Sequence, residues 1–408
     1  MSNPKSEFLA LLAERGFIHQ CSDAAAVDAL ASKGEIVAYV GYDCTAPSLH
    51  VGHLLSIMML HWLQATGAGK PIALMGGGTT KVGDPSDKNA QRPLLTDDEI
   101  NGNIAGIKKA FTPFLRFGDG PTDALMVNNA DWLDGYGYIQ FLREFGVHFT
   151  INRMLTFEFV KNRLEQEQSL TFLEFNYMLM QAADFLELNK RYGCTLQFGG
   201  SEQWGNIVSG IELVRRMADK QAFGFTAPLV TTASGVKMGK TVSGAVWLNA
   251  DMRSPYDYWQ FWRNTEDADV GRFLKLFTEL PTDEVGRLAT LAGAEINEAK
   301  KILADHATTL LHGAEAAAAA RGAAEAAFGQ GKLSADLPTF SVARGISNTD
   351  LMIAAGLASS KGDARRQIAG GAFRVNGEKV SDPNAVADVG ADEFEVRKGN
   401  TIKRAVFE

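Results

Sequence analysis

Four side chains in two short motifs have the types and spacing that suit phosphate chemistry. The first motif is Tyr39-Val-Gly41-Tyr-Asp43-Cys-Thr45-Ala-Pro-Ser-Leu-His50-Val-Gly52-His53. An apolar run ends at Gly41, a turn follows, and Pro47-Ser48 suits a helix start near His50. Backbone N–H groups and the helix dipole at such a start favour an anion. His50 and His53 are expected to share one side of the first helical turn. Gly52 between them would let a flat group such as an adenine ring approach the backbone. Two surface histidines at a helix start are the plain alternative. The second motif is Lys237-Met-Gly-Lys240-Thr241, preceded by Ser234-Gly235. Two lysines in a glycine-bearing loop can swing onto phosphates and stabilise the charge of a transition state. A solvated loop is the competing reading of so short a pattern.

Three other constellations are polar where their surroundings are apolar. Tyr177, Gln181 and Asp184 fall at i, i+4 and i+7, one stripe of a helix whose other residues include Met178, Leu179, Met180 and Phe185. Such a stripe is costly to bury without partners; a ligand with an amine and a hydroxyl would serve, as would a hydrogen-bonded core cluster. Gln197-Phe-Gly199-Gly200-Ser-Glu202-Gln203-Trp204 is a strand ending in two glycines, followed by an acid that could grip ribose hydroxyls. Gly83-Asp84-Pro-Ser-Asp-Lys88, with Arg92, follows the turn Gly76-Gly77-Gly78. Its carboxylate could take an ammonium, and Lys88 and Arg92 on one helical face could take phosphate; a charged solvated loop is equally compatible.

The elements that must hold these residues are alternating strands and helices. Residues 1–34 read as helix, Ile36–Val40 as a buried strand, Leu49–Ala65 as helix and Lys70–Met75 as a second strand, with further apolar segments at Leu125–Val127 and Thr195–Phe198. This is the grammar of an α/β, Rossmann-like, doubly wound parallel sheet. The expected catalytic domain covers 1–229, and a loop and connector cover 230–255. Long helical stretches over 256–328, including the alanine-rich Ala314–Ala327, form an α-helical domain. Glycine, polar residues and proline at 329–339 form a linker. A small α+β domain over 340–408 is basic relative to the rest, with ten Lys and Arg against nine Asp and Glu in a chain of net charge −8. An acidic chain can bind RNA where its basic residues are grouped. No apolar run of membrane-spanning length occurs, the N-terminus lacks a signal-peptide pattern, and Cys21, Cys44 and Cys194 are too dispersed for a zinc site or a CxxC pair. A cytoplasmic protein is expected.

Together and in this order the five motifs resemble the tyrosyl-tRNA synthetase family, over nearly the whole chain from Tyr39 onward. His50-Val-Gly-His53 resembles the class I HIGH signature, and Lys237-Met-Gly-Lys240-Thr241 the KMSKS signature. Leu357-Ala-Ser-Ser-Lys361-Gly-Asp-Ala-Arg365-Arg366, then Gly370-Gly-Ala-Phe-Arg374-Val-Asn-Gly377, resembles an S-four-type RNA-binding domain. The resemblance implies that Tyr39 and Asp184 bind a phenol hydroxyl. Asp84, Tyr177 and Gln181 would hold the amino group, and Asp43 and Gln203 would lie beside the substrate and its carboxylate. Thr45, His50 and His53 would contact ATP phosphates, with Gly41, Gly52, Gly199, Gly200 and Glu202 around the nucleotide. Lys88, Arg92, Lys237, Lys240 and Thr241 would act on pyrophosphate, and Lys361, Arg365, Arg366 and Arg374 on RNA. A segment at about 125–161 would form a homodimer interface. Val40, Glu202 and Ser56 depart from residues frequent in that family.

The reaction implied is attack of the tyrosine carboxylate on the α-phosphate of ATP, giving tyrosyl-adenylate and pyrophosphate, then transfer to the 3′ end of tRNA(Tyr). Mg2+ would arrive with ATP, with no fixed metal on the protein. The rival from the same fold is a tryptophanyl synthetase; the polar pair Tyr39 and Asp184 argues against it, because indole has no hydroxyl. The rival from another class is an RNA-binding scaffold with an inactive synthetase body; the intact histidines and lysines argue against that.

Overall fold

The structure is a computed structural model that describes residues 4–86, 94–235, 237–241, 244–329, 337–387, 389, 392–399 and 401–408. Its contacts separate two units, Met1–Leu49 with His53–Val230, and His50–Gly52 with Thr231–Glu408. In the first unit, β1 (Gln20–Cys21), β2 (Ile36–Tyr42), β3 (Gly69–Met75), β4 (Leu125–Asn128), β5 (Leu196–Gly200) and β6 (Phe223–Ala227) form one sheet. The order is β1-β6-β5-β2-β3-β4. Only β1 is antiparallel to its neighbour. The chain builds outward through β3 and β4 on one side of β2, and through β5 and β6 on the other. The order therefore reverses between β2 and β5, and Tyr39 pairs with Gln197 across that seam. Open α/β sheets bind ligands beyond the carboxyl ends of strands at such a reversal.

The strands read as unbroken apolar runs because both faces of the sheet are covered. Ala38, Ile72, Ala73, Leu196, Phe198 and Phe225 are all buried. The helix Leu54–Ala65 buries Leu54, Ile57, Met58 and Leu63 along most of its circumference. The helix Tyr177–Tyr192 buries Met178, Ala182, Phe185 and Leu188, and Gly193 stops it in the left-handed conformation at φ 66°. Burying Phe185 alone is worth roughly 1.5–3 kcal/mol. That packing fixes the angle at which the polar stripe of the same helix faces the sheet.

Two sequence expectations change here, and, besides β1, one strand of the first unit is new. Residues 1–34 do not form continuous helix: Glu7–Arg15 and Ala24–Ala31 are separated by β1. Gly16, at φ 85°, ends the first helix, and the side chain of Asp23 caps the second. The segment expected as an insertion from 125 begins with β4, a strand of the main sheet, so the helices added to the sheet start at Ala130. The new strand is β6; its Phe223-Gly-Phe-Thr-Ala run is short and is defined by pairing with β5.

The second unit holds the hairpin β7 (Lys240–Thr241) and β8 (Gly244–Ala245), then a helical array that includes Pro255–Arg263, Val270–Phe277, Ile296–His312 and Ala314–Gly329. The alanine run has a packing role: Ala317, Ala320, Ala323 and Ala324 are buried. Small side chains there allow close approach of the neighbouring helices. The last part is a sheet of β9 (Thr339–Val342), β10 (Phe373–Val375), β11 (Glu378–Lys379), β12 (Glu393–Lys398) and β13 (Thr401–Phe407), in the order β11-β10-β12-β13-β9. It has its own apolar core around Leu351, Met352, Ile368, Phe373 and Phe394. Among the described residues no helix is long and apolar enough to cross a membrane.

Candidate active site

Two sets of the expected residues gather, one in each unit. The first surrounds the seam between β2 and β5. Tyr39 lies within β2, 1% exposed, with its ring edge-on to Phe185 at 5.3 Å between centroids. Its hydroxyl is buried and has no hydrogen-bond partner among the described residues. Asp184, 2% exposed, accepts from Trp132 Nε1 at 2.8 Å on one oxygen and from Asn129 Nδ2 at 2.9 Å on the other. Burial pushes its carboxyl up to about 7, against the pull of these two donors. Burial also raises the Tyr39 phenol far above its ordinary range, and the Asp184 charge adds to the effect. A hydroxyl without a partner beside a carboxylate with spare lone pairs can take one more O–H group.

Asn129 and Trp132 were not expected in the site. Their partner, Asp184, lies 55 and 52 residues away in sequence, so spacing could not connect them. The available signal was the polar pair Asn128-Asn129 directly after an apolar strand. Asn129 also accepts the Gly78 N–H at 2.7 Å and donates to Thr79 Oγ1 at 3.0 Å, which ties the glycine turn after β3 to the same network.

Beside this pair, Asp43 follows β2 and accepts from Tyr177 Oη and Thr79 Oγ1, each at 3.1 Å, and from the Asp84 backbone N–H at 2.9 Å. Gln203 Nε2 donates to Asp84 Oδ2 at 2.8 Å. Asn206 Nδ2 donates to Gln181 Oε1 at 3.0 Å, and Gln181 Nε2 to Gln203 Oε1 at 3.3 Å. Asp43, Asp84, Tyr177, Gln181 and Gln203 thus form one hydrogen-bonded group, extended by Asn206 and Ser86. A paired set of carboxylates with a phenol and amides suits an ammonium. Thr45 is exposed, in the turn after Asp43.

The glycines differ in what requires them. A Cβ on Gly41 would meet nothing nearer than Leu74 Cδ2 at 3.9 Å, so the protein itself has room for a side chain there. Its bareness keeps the end of β2 open. A Cβ on Gly199 would lie 2.9 Å from Gln203 Cβ, and one on Gly200 2.4 Å from the Glu202 carboxylate. Those two let the chain fold back after β5, so that Glu202 opens the turn Ser201–Gln203 that leads into the helix Trp204–Ala218.

His53 sits in the first unit with its ring 6.3 Å from Tyr42, and its carbonyl accepts from Ser56 Oγ at 2.8 Å. Ser56 also meets the Tyr42 hydroxyl at 3.1 Å, a local role that accounts for a small hydroxyl residue at this position.

The second set lies in the other unit. His50 and His53 do not share a helical turn as expected. His50 bridges to Trp247, Val51–His53 is a single 3-10 turn, and regular helix begins at Leu54. The Gly52 N–H donates to His50 Nδ1 at 3.1 Å. Gly52 is also held bare by the protein itself. A Cβ there would lie 2.8 Å from His50 Cε1 and 2.9 Å from the Met238 carbonyl oxygen. Gly239, at φ 92°, meets the same Nδ1–Cε1 edge of the imidazole: its Cβ would lie 2.7 Å from His50 Nδ1. The Val51 N–H donates to the Val246 carbonyl at 2.9 Å. The first histidine of one signature is therefore packed into the loop of the other. Lys237 bridges to Thr231, while Lys240 and Thr241 form β7 opposite Ala245 and Gly244. Lys88 and Arg92 lie outside the described residues.

In the last domain Lys361, Arg365 and Arg366 are exposed on the helix Lys361–Ala369, and Arg374 is exposed on β10. Lys361 pairs with Asp350 at 2.8 Å and Arg366 with Asp363 at 3.6 Å. Among the described residues no group of three or more His, Cys, Asp or Glu is placed to hold a metal ion.

Residues 31–329 match the family described as tRNA synthetases class I (W and Y), and residues 330–398 match the tyrosine–tRNA ligase SYY-like C-terminal domain. A tyrosine–tRNA ligase of Caulobacter sp. (strain K31) is 63% identical over 94% of this chain and 92% of its own length. The chain belongs to the tyrosine–tRNA ligases of class I. A ligase of the same name from Zymomonas mobilis is 60% identical over 98% of both chains. Among solved structures, a C-terminally truncated mitochondrial tyrosyl-tRNA synthetase of Aspergillus nidulans superposes with a TM-score of 0.70 at 32% identity, covering 79% of this synthetase and 94% of that chain.

Proposed function

We propose that this tyrosine–tRNA ligase selects its amino acid through the buried pair Tyr39 and Asp184. The observation that carries the reading is the Tyr39 hydroxyl, buried without a partner next to a carboxylate that still has acceptor capacity. The substrate phenol donates to Asp184 and meets Tyr39 Oη, so that all three groups are satisfied. Phenylalanine would leave the pair unsatisfied. The ammonium of the substrate joins Asp84, Tyr177 and Gln181, and Asp43 and Gln203 lie beside the substrate and its carboxylate.

ATP lies over the open strand ends at Gly41 and Gly199, with Gly200 and Glu202 near the ribose. Thr45, His50 and His53 face its phosphates. Lys237, Lys240 and Thr241, with Lys88 and Arg92, draw charge from the pyrophosphate as the α-phosphate takes the tyrosine carboxylate. No covalent enzyme intermediate is needed: catalysis is orientation plus electrostatic stabilisation. Magnesium travels with ATP as part of the substrate. The domains are read as a catalytic part to about 229, a signature loop and connector to 255, a helical part to 328 and an RNA-binding tail from 340, whose Lys361, Arg365, Arg366 and Arg374 meet tRNA phosphates.

A homodimer in the cytoplasm completes the reading. Eight of the thirteen large apolar side chains left exposed among the described residues fall between Tyr138 and Leu173; Val147 is 69% exposed, Phe172 66% and Ile151 59%. That concentration fits a self-association surface better than scattered exposure does.

The test is ATP–pyrophosphate exchange with each amino acid in turn. Tyrosine alone is expected to drive it efficiently, with exchange slowed in His50→Ala and in His53→Ala. Efficient exchange with tryptophan or phenylalanine would overturn the assignment of the pair.

A further inference from the structure

The loop bearing Lys237 and Lys240 is anchored at its stem by residues that none of the signature motifs contains. Asp269, 2% exposed, accepts the Ala233 backbone N–H at 2.7 Å. The Ser234 hydroxyl donates to Glu266 Oε1 at 2.6 Å. Arg272 is held against Asp269 and donates to the Thr231 carbonyl oxygen. Thr231 is the bridge partner of Lys237. Between these points the stem folds into a turn, with the Gly235 N–H on the Thr232 carbonyl at 2.8 Å and the Thr232 and Ser234 hydroxyls 2.8 Å apart. The stem is therefore tied at three places to the turn Asp267–Asp269 and its flanks, Glu266 before it and the start of the helix Val270–Phe277 after it.

The chemistry of the ties is unequal. A buried carboxylate that receives a backbone N–H and a guanidinium makes charge-assisted bonds that hold direction as well as distance. The Ser234–Glu266 bond is exposed and weaker. Both acceptors lie on the short connection between the helix Pro255–Arg263 and the helix Val270–Phe277.

We propose that Asp269, seconded by Glu266 and Arg272, is a positioning residue for the signature loop. It fixes the stem so that Lys237 starts each turnover at a set place, which lowers the ordering cost of bringing the lysines onto the phosphates. The proposal rests on the reading that Lys237 and Lys240 act on pyrophosphate. Its consequence is kinetic. Interactions realised only in the transition state change the rate of the chemical step and leave ground-state tyrosine binding alone.

The experiment is single-turnover formation of tyrosyl-adenylate by the full-length protein at saturating tyrosine and ATP. The amplitude reports the fraction of competent sites and the rate constant reports each competent site. The variants are Asp269→Asn, the surface pair Ser234→Ala with Glu266→Gln, and Lys240→Ala as the test of the underlying reading. Asp269→Asn is expected to lower the rate constant about tenfold, the loss of one charge-assisted bond. Amplitude and the tyrosine dissociation constant measured without ATP stay near the parent values. The surface pair is expected to lower the rate constant less. A reduced amplitude with an unchanged rate constant would make Asp269 a fold-stabilising residue only and overturn the proposal. Parent rate constants in Asp269→Asn, or in the surface pair should Asp269→Asn not fold, would overturn it too, provided Lys240→Ala is slow. A parent rate in Lys240→Ala would bring down the reading of the loop, and the proposal with it.

Discussion

At the scale of single residues, Asp184 combines two opposing demands. Burial raises its carboxyl to about 7, while Trp132 and Asn129 favour the ionised form. A bound phenol that donates a third hydrogen bond favours the ionised form further. Binding tyrosine then drives proton release, so affinity is expected to rise with pH through the neighbourhood of 7 and level off above it. The check is the tyrosine dissociation constant on both sides of neutral pH, with Asp184→Asn as the control that should show no such rise; a flat profile in the parent protein would remove Asp184 from hydroxyl recognition. A second expectation concerns discrimination. Tyr39→Phe should weaken use of tyrosine by roughly 0.5–1.5 kcal/mol, the usual net worth of a neutral hydrogen bond, and Asp184→Asn by more, because a charged acceptor is lost. Both should narrow the kcat/KM ratio of tyrosine to phenylalanine. Sites built to hydrogen-bond a hydroxyl reject the analogue lacking it by about 10⁴–10⁵, a general range for which tyrosyl synthetases are themselves the standard example. A ratio unchanged in both variants would sink the reading. What was legible at this scale were residues whose type is unusual for their surroundings, as Asp184 is among Met178, Leu179 and Phe185. What was not legible were the partners that make such a residue tolerable, because Asn129 and Trp132 reach it only through the fold.

At the scale of elements, the two signature segments interlock through glycine. Gly52 and Gly239 both lie against the Nδ1–Cε1 edge of the His50 ring, each at distances that leave no room for a methyl group. Gly52→Ala must displace the imidazole or the Met238 carbonyl, so it is expected to slow adenylate formation by about tenfold or more and to leave tyrosine binding intact. Stopped-flow measurement of adenylate formation checks it; a parent rate would mean that the contact between His50 and the loop is incidental to the chemistry. The sequence marked both segments as important but not the contact that Gly52 makes with the loop. The Met238 carbonyl that crowds Gly52 belongs to a segment far along the chain, which local spacing could not show. The strand seam was legible for the opposite reason: β2, β3 and β5 are apolar runs that end at or beside glycine, and each ending is local.

At the scale of the molecule, the tail has a core of its own around Leu351, Phe373 and Phe394, and its ties to the helical array include the ion pair of Lys403 with Asp257 at 3.7 Å. A chain ending near Gly331 is expected to form tyrosyl-adenylate at close to the parent rate and to charge tRNA poorly. The affinity of the intact protein for tRNA should fall as salt rises. Full charging by the shortened chain would refute a role for the tail. The exposed apolar side chains between Tyr138 and Leu173 give a further expectation. Val147→Asp with Ile151→Asp should shift the protein toward monomer in sedimentation, whereas an unchanged mass would place self-association elsewhere. The division into a sheet part, a helical part and a small basic tail was readable from composition because each has its own pattern of apolar residues. The array built on Ala314–Gly329 was readable as helix, but not as closely packed helix, because alanine presents the same small side chain on every face.

The seam between β2 and β5 also dictates when the pocket can exist. Tyr39 and Gln197 are paired neighbours far apart in the chain, and β6 must still be added before β5 has its outer partner. During synthesis, the wall that carries Tyr39 and Asp43 leaves the ribosome long before the wall that carries Gly199, Glu202 and Gln203. Local helices can form meanwhile, but the central strand of the sheet waits with one edge unpaired and its apolar face uncovered. On the proposed reading, tyrosine is held only by a chain that has been made through Ala227, the end of β6. On that reading, retention of stalled chains on immobilised tyrosine should begin abruptly once that segment has emerged.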